Sequence, residues 1–273
     1  MISRPRPLAT PGRERRRRHD RRGKPAPGQA LVLEQAIESS AIEVLFQPLF
    51  QCGAEAPAGA EALVRWHHPR QGLLAGDRVF ALARDVGLAD RLARYVCRSA
   101  MTVATGWPDH LRLSLNATAG DLADPGYPAL ILECLAQTGF PARRLTLEIT
   151  EQALVEGIEG AVRMLGGLTD RGIAIALDDF GAGFCNFGYL KALPLAALKL
   201  DRTMVVGITT DRRDLAVFRA IMAMARALDL RVIAEGIETR AQQQAVCREG
   251  CDLWQGFLGA PPLPSAEFAA LVA

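Results

Sequence analysis

Polar side chains end six short apolar runs of the sequence, and their types fit the binding of hard divalent cations. The runs GAEALVRW, LRLSLNAT, LTLEITE, IAIALDDFG, LPLAALKLD and RVIAEGIE supply, in this order, Glu61, Asn116, Glu148, Asp178 with Asp179, Lys199, and Glu235. Such cations prefer carboxylate and amide oxygens as ligands. The pattern therefore predicts a cluster of acidic groups with one amide and one lysine.

The elements that must position these residues follow a regular order. Each run has the length of a strand, and helical segments separate the strands, which predicts a parallel sheet or barrel. The loops at the carboxyl ends of barrel strands form the active face, so polar residues there are expected to be catalytic. Eight strand candidates are found near residues 43–50, 60–66, 111–116, 144–150, 173–178, 196–200, 231–235 and 252–255. A single barrel over residues 29–273, with a helix after each strand, is favoured over two domains.

Two other motifs are expected to have structural roles rather than to bind a metal or a nucleotide. His67 and His68 could be metal ligands, but the sequence HHPR is expected to form a loop after the second strand. Gly181 and Gly183 form a G-x-G, but the third glycine of a dinucleotide-binding loop is missing and two acids precede the motif. These glycines are expected to permit a tight turn.

The amino-terminal segment differs from the rest in charge. Residues 1–28 carry ten Lys or Arg against two acidic residues, a net charge of +8, whereas the remaining 22 basic and 28 acidic residues sum to −6. This composition predicts a disordered basic tail. Such a tail could contact nucleic acid or anionic lipid, although a solvated extension without a specific partner is favoured.

Hydropathy and cysteine usage predict a cytoplasmic protein. No apolar run approaches the roughly 18 residues that span a bilayer, and no apolar stretch of a secretory signal follows the basic start. The six cysteines show no CxxC spacing, so unpaired thiols in a reducing compartment are expected. They are Cys52, Cys97, Cys134, Cys185, Cys247 and Cys251.

Seven motifs follow one another between FQP at 46–48 and PPLP at 261–264: EALVRW, the strand with Asn116, LEITE, DDFGAG, LKLD, AEGIET and CDLWQGFL. In order and approximate spacing they resemble the motifs of the EAL family of bacterial cyclic di-GMP phosphodiesterases. The resemblance implies a modified TIM-type (β/α)8 barrel with a reversed first strand. It also implies a site that uses two divalent cations, Mg²⁺ or Mn²⁺, and is inhibited by Ca²⁺.

The resemblance also implies a role for each matching residue. Glu61, Asn116, Glu148 and Asp178 would bind one metal, and Asp178 would bridge to a second one held by Asp179 and Glu235. Lys199 would orient the attacking water or neutralise developing charge. Whether Glu235 acts as base or as ligand stays open.

Substrate contacts and supporting residues follow from the same motifs. By period-two alternation Arg65 shares a strand face with Glu61 and could grip a phosphate, while Gln47 and Gln255 offer amides to guanine or water. Glu151 is expected to anchor a loop and Glu238 to hold the site together. Departures from the family pattern, at Phe184, Cys185, Asn186, Ala196, Gly259 and Pro261, leave every metal ligand in place. Those at 184–186 and 196 put the expected homodimer in doubt.

Three functional classes are compatible with the sequence. Metal-dependent hydrolysis of cyclic di-GMP to linear pGpG is favoured, because all the acidic positions and the lysine are present. A catalytically silent module that only binds the dinucleotide is the alternative. A protein-interaction or nucleic-acid-binding role would rest on the basic tail alone.

Overall fold

The computed structural model describes residues 28–154, 158–183 and 187–272. All of the predicted tail except Gly28 lies outside these residues, as do the family departures at 184–186. Within the described residues, no helix combines the length and the apolar character needed to cross a membrane.

Ten helices and nine strands are found in the described part of the chain, with short 3-10 turns between them. The helices are α1 (Gln29–Glu38), α2 (Gly76–Asp85), α3 (Ala89–Ala104), α4 (Ala119–Ala123), α5 (Tyr127–Thr138), α6 (Ile158–Thr169), α7 (Phe187–Ala192), α8 (Arg212–Ala227), α9 (Arg240–Arg248) and α10 (Ser265–Val272). The strands are β1 (Ile42–Gln51), β2 (Pro57–His68), β3 (Gly72–Ala75), β4 (Arg112–Ala117), β5 (Leu145–Thr150), β6 (Ala174–Phe180), β7 (Ala197–Leu200), β8 (Arg231–Ala234) and β9 (Leu253–Trp254).

Eight of the strands close into a barrel, which confirms the predicted fold. β2, β4, β5, β6, β7, β8 and β9 pair in parallel in this order, and β1 closes the ring by pairing antiparallel with both β2 and β9. The first strand is therefore reversed, as the family resemblance implies. The carboxyl ends of the seven parallel strands meet at one end of the barrel.

Two expectations about the start of the barrel were wrong. No helix follows β1, which turns directly into β2, because an antiparallel neighbour needs only a short connection. His67 and His68 do not lie in a loop, since β2 continues through them and pairs with the additional strand β3. Buried His68 accepts hydrogen bonds at Nδ1 from the backbone N–H groups of Arg70 and Gln71, which is a structural role.

Successive side chains of each barrel strand point alternately to the surrounding helices and into the barrel. In β5, Leu145, Leu147 and Ile149 are fully buried in the main apolar core, together with residues of the surrounding helices. Thr146 and Glu148 are also buried but point the other way, into the barrel. This alternation places polar side chains inside the barrel at its carboxyl end.

The expectation of unpaired thiols was wrong for two cysteines. Cys52, just after β1, and Cys247, in α9, form a disulfide across 195 positions of sequence, with their Cα atoms 5.4 Å apart. The barrel closure brings the end of β1 to α9, and no spacing rule predicts such a contact from the sequence. Cys97, Cys134 and Cys251 are free and buried, whereas Cys185 lies outside the described residues.

Candidate active site at the carboxyl end of the barrel

Lys199 lies at the centre of a carboxylate cluster inside the barrel. Its Nζ is 2.9 Å from Glu235 Oε1, 3.1 Å from Asp178 Oδ1 and 3.3 Å from Glu61 Oε2. It also donates a hydrogen bond to Oε2 of Glu148. The four acids come from four different strands or strand ends, so the barrel closure is what assembles the cluster.

The carboxylates form two groups that share one member. Oxygens of Glu61, Glu148 and Asp178 lie within 4.8 Å of one another, and so do oxygens of Asp178, Asp179 and Glu235. Each group has a size that could hold one metal ion, and Asp178 belongs to both groups.

A bulge in β6 explains how two consecutive residues reach the same site. Successive side chains of a regular strand point to opposite faces. The pairing of β6 with β7 is irregular between Leu177 and Phe180, and Asp179 has a φ of 56°. The backbone N–H of Asp179 donates to Asp178 Oδ1 at 2.9 Å. The backbone therefore turns here, and both carboxylates face the cluster.

Burial and the lysine set the protonation of the cluster. Burial raises the pKa of Glu235 to about 8, despite the opposing effect of Lys199. Burial likewise raises the pKa of Glu148 well above its usual value. For Glu61 the effect of burial is outweighed by the Lys199 charge and by hydrogen bonds from Asn116 and Gln255, so its pKa is lowered.

Lys199 is held in its charged form by the same groups. Burial alone would lower the pKa of this ammonium, but Asp178, Glu148, Glu235 and Glu61 together raise it well above the usual value. The lysine side chain is only 1% exposed. It therefore supplies a permanent positive charge at the base of the site.

The donor set fits a hard divalent cation. Oε1 of Glu148 is buried and has no hydrogen-bond donor among the described residues. Asn116 donates its Nδ2 to Glu61 Oε1 at 2.7 Å, which leaves its amide oxygen for another partner. Mg²⁺ and Mn²⁺ bind oxygen ligands of this kind. The site offers an unpartnered buried carboxylate oxygen, several neighbouring carboxylates and an amide.

Two glutamines lie beside the acidic cluster. Buried Gln255 donates through Nε2 to Gln47 Oε1 at 2.9 Å and to Glu61 Oε2 at 3.1 Å. Gln47 pairs with Glu61 in the register of β1 and β2. Both glutamines line a cavity of about 320 Å³ that opens above the carboxylates. Their position suits contact with a substrate, although Gln255 also has the structural hydrogen bonds just described.

Arg65 lies in an adjoining cavity rather than among the carboxylates. Its guanidinium donates to the Val64 carbonyl at 2.8 Å and lines a cavity of about 620 Å³ together with Asn116 and Thr150. Leu63 borders both this cavity and the smaller one. Leu63 therefore lies between Arg65 and Glu61 along β2.

The mouth of the smaller cavity contains residues that sequence reasoning missed. Arg202 forms an ion pair with Glu238 at 2.9 Å, and Phe257 is 68% exposed; both line the cavity. The sequence did contain a signal for Arg202. This residue lies three positions after Lys199, directly beyond the carboxyl end of β7, where active-site residues are expected. Glu151 begins the 3-10 turn directly after β5.

The comparisons with known proteins agree with this geometry. The model of the EAL domain family matches residues 31–262. Cyclic di-GMP phosphodiesterase NbdA of Pseudomonas aeruginosa is 39% identical over 239 residues, which cover 86% of this chain and 30% of that protein. The bifunctional diguanylate cyclase/cyclic di-GMP phosphodiesterase MucR of the same organism is 33% identical and is matched over 36% of its length.

Solved structures show the same fold. A structure described as PaMucR phosphodiesterase in complex with c-di-GMP has a TM-score of 0.80 and 32% identity, and the match covers 88% of this chain and 99% of that one. The EAL enzyme Bd1971, bound to cAMP and cyclic di-GMP, has a TM-score of 0.81 at 25% identity, covering 89% and 68% of the two chains. This chain spans about a third of the length of the curated relatives named above. From the family match and these identities, the chain belongs to the EAL domain family.

Proposed function

We propose that this protein is a metal-dependent phosphodiesterase that hydrolyses cyclic di-GMP to linear pGpG. The observation that carries the proposal is the buried cluster of Glu61, Glu148, Asp178 and Glu235 around Lys199. Two relatives that are 39% and 33% identical to this chain over the matched residues are named as a cyclic di-GMP phosphodiesterase and as a bifunctional diguanylate cyclase/cyclic di-GMP phosphodiesterase, which supports the same substrate here.

The two carboxylate groups would hold two divalent cations. Glu61, Asn116, Glu148 and Asp178 would bind one, and Asp178, Asp179 and Glu235 the other. Bound cations would polarise the phosphodiester and lower the pKa of a water. The protein's own side chains would transfer the proton and stabilise the developing charge.

Lys199 and Glu235 would act on the attacking water and on the charge that develops. The fixed ammonium of Lys199 can stabilise negative charge as it forms on the phosphate. The carboxylate of Glu235, 2.9 Å from Lys199 Nζ, would accept the proton that the attacking water loses. Asp179, which shares the second carboxylate group with Glu235, would keep this side of the site negative and orient the water.

The two adjoining cavities would receive the dinucleotide. Their volumes, about 320 and 620 Å³, are in the range of small-molecule sites. Arg65 in the larger cavity would bind a phosphate, while Gln47 and Gln255 in the smaller one would contact guanine or ordered water. The Arg202–Glu238 ion pair would hold the mouth of the smaller cavity in shape.

Incubation of the purified protein with cyclic di-GMP and one divalent cation at a time tests the proposal. With Mg²⁺ or Mn²⁺, chromatography should show pGpG with little GMP. Ca²⁺ should inhibit, because its larger size and flexible coordination place the water poorly. Tight dinucleotide binding without turnover under any cation would instead identify a silent binding module.

A further inference from the structure

A further polar cavity lies at the end of the barrel opposite to Lys199. It has a volume of about 450 Å³ and is lined by residues at the amino ends of the parallel strands, among them Gly59, Arg112, Thr146 and Arg231. Leu49, Ala176, Ala197 and Ile233 form a small apolar cluster inside the barrel. Ala176, Ala197 and Ile233 each lie two residues before an acid or lysine of the candidate active site. This apolar layer therefore separates the two sites.

Small side chains leave this end of the barrel unfilled. Barrel interiors are ordinarily packed with layers of large branched residues, but here Gly59, Ser114, Thr146 and Ala197 line the space. At Gly59 a Cβ would lie 2.4 Å from the Arg112 carbonyl oxygen, so a larger side chain is excluded. The volume is within the 300–1,000 Å³ of small-molecule sites.

Two guanidinium groups in this cavity have no counter-ion among the described residues. Neither Arg112 nor Arg231 forms an ion pair there, and the buried Nε of Arg112 has no hydrogen-bond acceptor. Burial and the nearby Arg231 charge lower the pKa of Arg112. A buried donor without an acceptor destabilises the fold, and more so when it is charged.

Arg144 shows how the chain otherwise treats a buried arginine. This side chain is buried, and it donates to the carbonyls of Leu111, Ala104, Trp107 and Pro108 and contacts Asp109. Arg112 is half-buried, and it has no such set of acceptors in the described part of the chain.

Gln51, Asp252 and His110 are further polar residues of the lining. One carboxylate oxygen of Asp252 already has a hydrogen-bond partner, because Oδ2 accepts the Val232 N–H at 2.7 Å. His110 lies at the exposed rim. The two arginines outweigh the single carboxylate, so the cavity attracts an anion rather than a cation.

We propose that this cavity is a second ligand site, which binds the phosphate group of a small phosphomonoester through Arg112 and Arg231. Guanidinium groups bind phosphate oxygens with paired, charge-assisted hydrogen bonds. The hydroxyls of Ser114 and Thr146 line the inner wall and can donate to the same oxygens. The remaining volume accommodates the organic part of the ester. The site does not depend on the cation chemistry at the opposite end of the barrel.

Calorimetry on the full chain in EDTA, with inorganic phosphate, ribose 5-phosphate and ribose as probes, tests this site. EDTA keeps cations from recruiting phosphate to the acidic cluster. Ribose 5-phosphate should bind saturably, one per chain, and ribose should not bind. Tighter binding of the ester than of phosphate supports the proposal as stated, whereas equal affinities would overturn the ester in favour of free phosphate.

Variants locate the binding. Arg231→Gln, at an exposed strand start, and Arg112→Gln should each weaken ribose 5-phosphate at least tenfold, and Arg163→Gln, on the exposed face of α6, should leave it unchanged. If Arg112→Gln does not fold, Arg231→Gln decides, together with ligand-induced amide shifts at Val232 and Leu253 in NMR spectra. The proposal is overturned by the absence of saturable binding, by wild-type affinity in Arg231→Gln, or by an equal loss in Arg163→Gln.

Discussion

Lys199 and Glu148 form an ion pair inside the barrel, where their side chains are 1% and 0% exposed. Three further carboxylates lie within 3.3 Å of the same ammonium. Breaking such a buried arrangement from one side leaves charge uncompensated, which is strongly destabilising. Lys199 therefore stabilises the cation-free fold by neutralising these carboxylates. In the proposed reaction it would stabilise the charge that develops on the phosphate.

Lys199→Ala should lower kcat by about 10²–10³-fold, because it removes one electrostatic stabiliser of the transition state. Affinity for cyclic di-GMP should change much less, since Arg65 and bound cations still hold the phosphates. Steady-state kinetics and calorimetry measure the two quantities, and Lys191→Ala on exposed α7 is the control. Equal loss of binding and rate would show that Lys199 is a ground-state substrate contact.

The same variant should be less stable in EDTA than the wild type, by about 3–5 kcal/mol, because four carboxylates then face one another without a cation. Mg²⁺ or Mn²⁺ should restore much of this difference, since bound cations replace the missing charge. Denaturant titration with and without the metal measures it. A variant as stable in EDTA as the wild type would show that the acids simply take up protons when the lysine is removed.

Glu61→Gln should reduce metal affinity as well as rate. Glutamine keeps the shape and one oxygen ligand but removes the charge that faces the cation. The Mn²⁺ concentration at half-maximal activity should therefore rise at least tenfold, whereas Glu55→Gln, in the exposed loop before β2, should change nothing. A loss of kcat at unchanged metal dependence would place Glu61 outside the metal ligands.

Removing the disulfide should lower the stability of the fold without directly affecting the candidate active site. Cys52→Ser should reduce the free energy of unfolding by about 2–4 kcal/mol, because the bridge restricts the unfolded chain across a long loop. Reducing agent should destabilise the wild type to a similar extent and leave Cys52→Ser unaffected. If reducing agent leaves the wild type unchanged, Cys52 and Cys247 are thiols in the purified protein.

Deleting residues 1–27 should leave turnover of cyclic di-GMP within a few-fold. The described elements and cavities are built from residues within 28–272, and Gly28, whose carbonyl accepts the Val32 N–H, is retained as the N-cap of α1. Any nucleic-acid or lipid binding should disappear with the tail and weaken steeply with salt in the intact chain. A large loss of turnover in the folded truncation would assign the tail a part in the reaction.

Local sequence patterns were sufficient to predict the barrel and the cluster of acids and lysine. The alternation of strand and helix and the position of Glu61, Glu148, Lys199 and Glu235 near strand ends follow from local patterns. In a closed parallel barrel all such ends meet at one face, so these residues could be grouped without knowing any contact.

Contacts between distant segments were visible only in the folded chain. They include the disulfide of Cys52 with Cys247 and the bulge that turns Asp178 and Asp179 to one side. They also include the position of Arg112 and Arg231, which have no counter-ion among the described residues. Local periodicity specifies which face a side chain takes within its own strand. It does not specify the neighbour that faces it from another strand, because barrel closure and register set that distance.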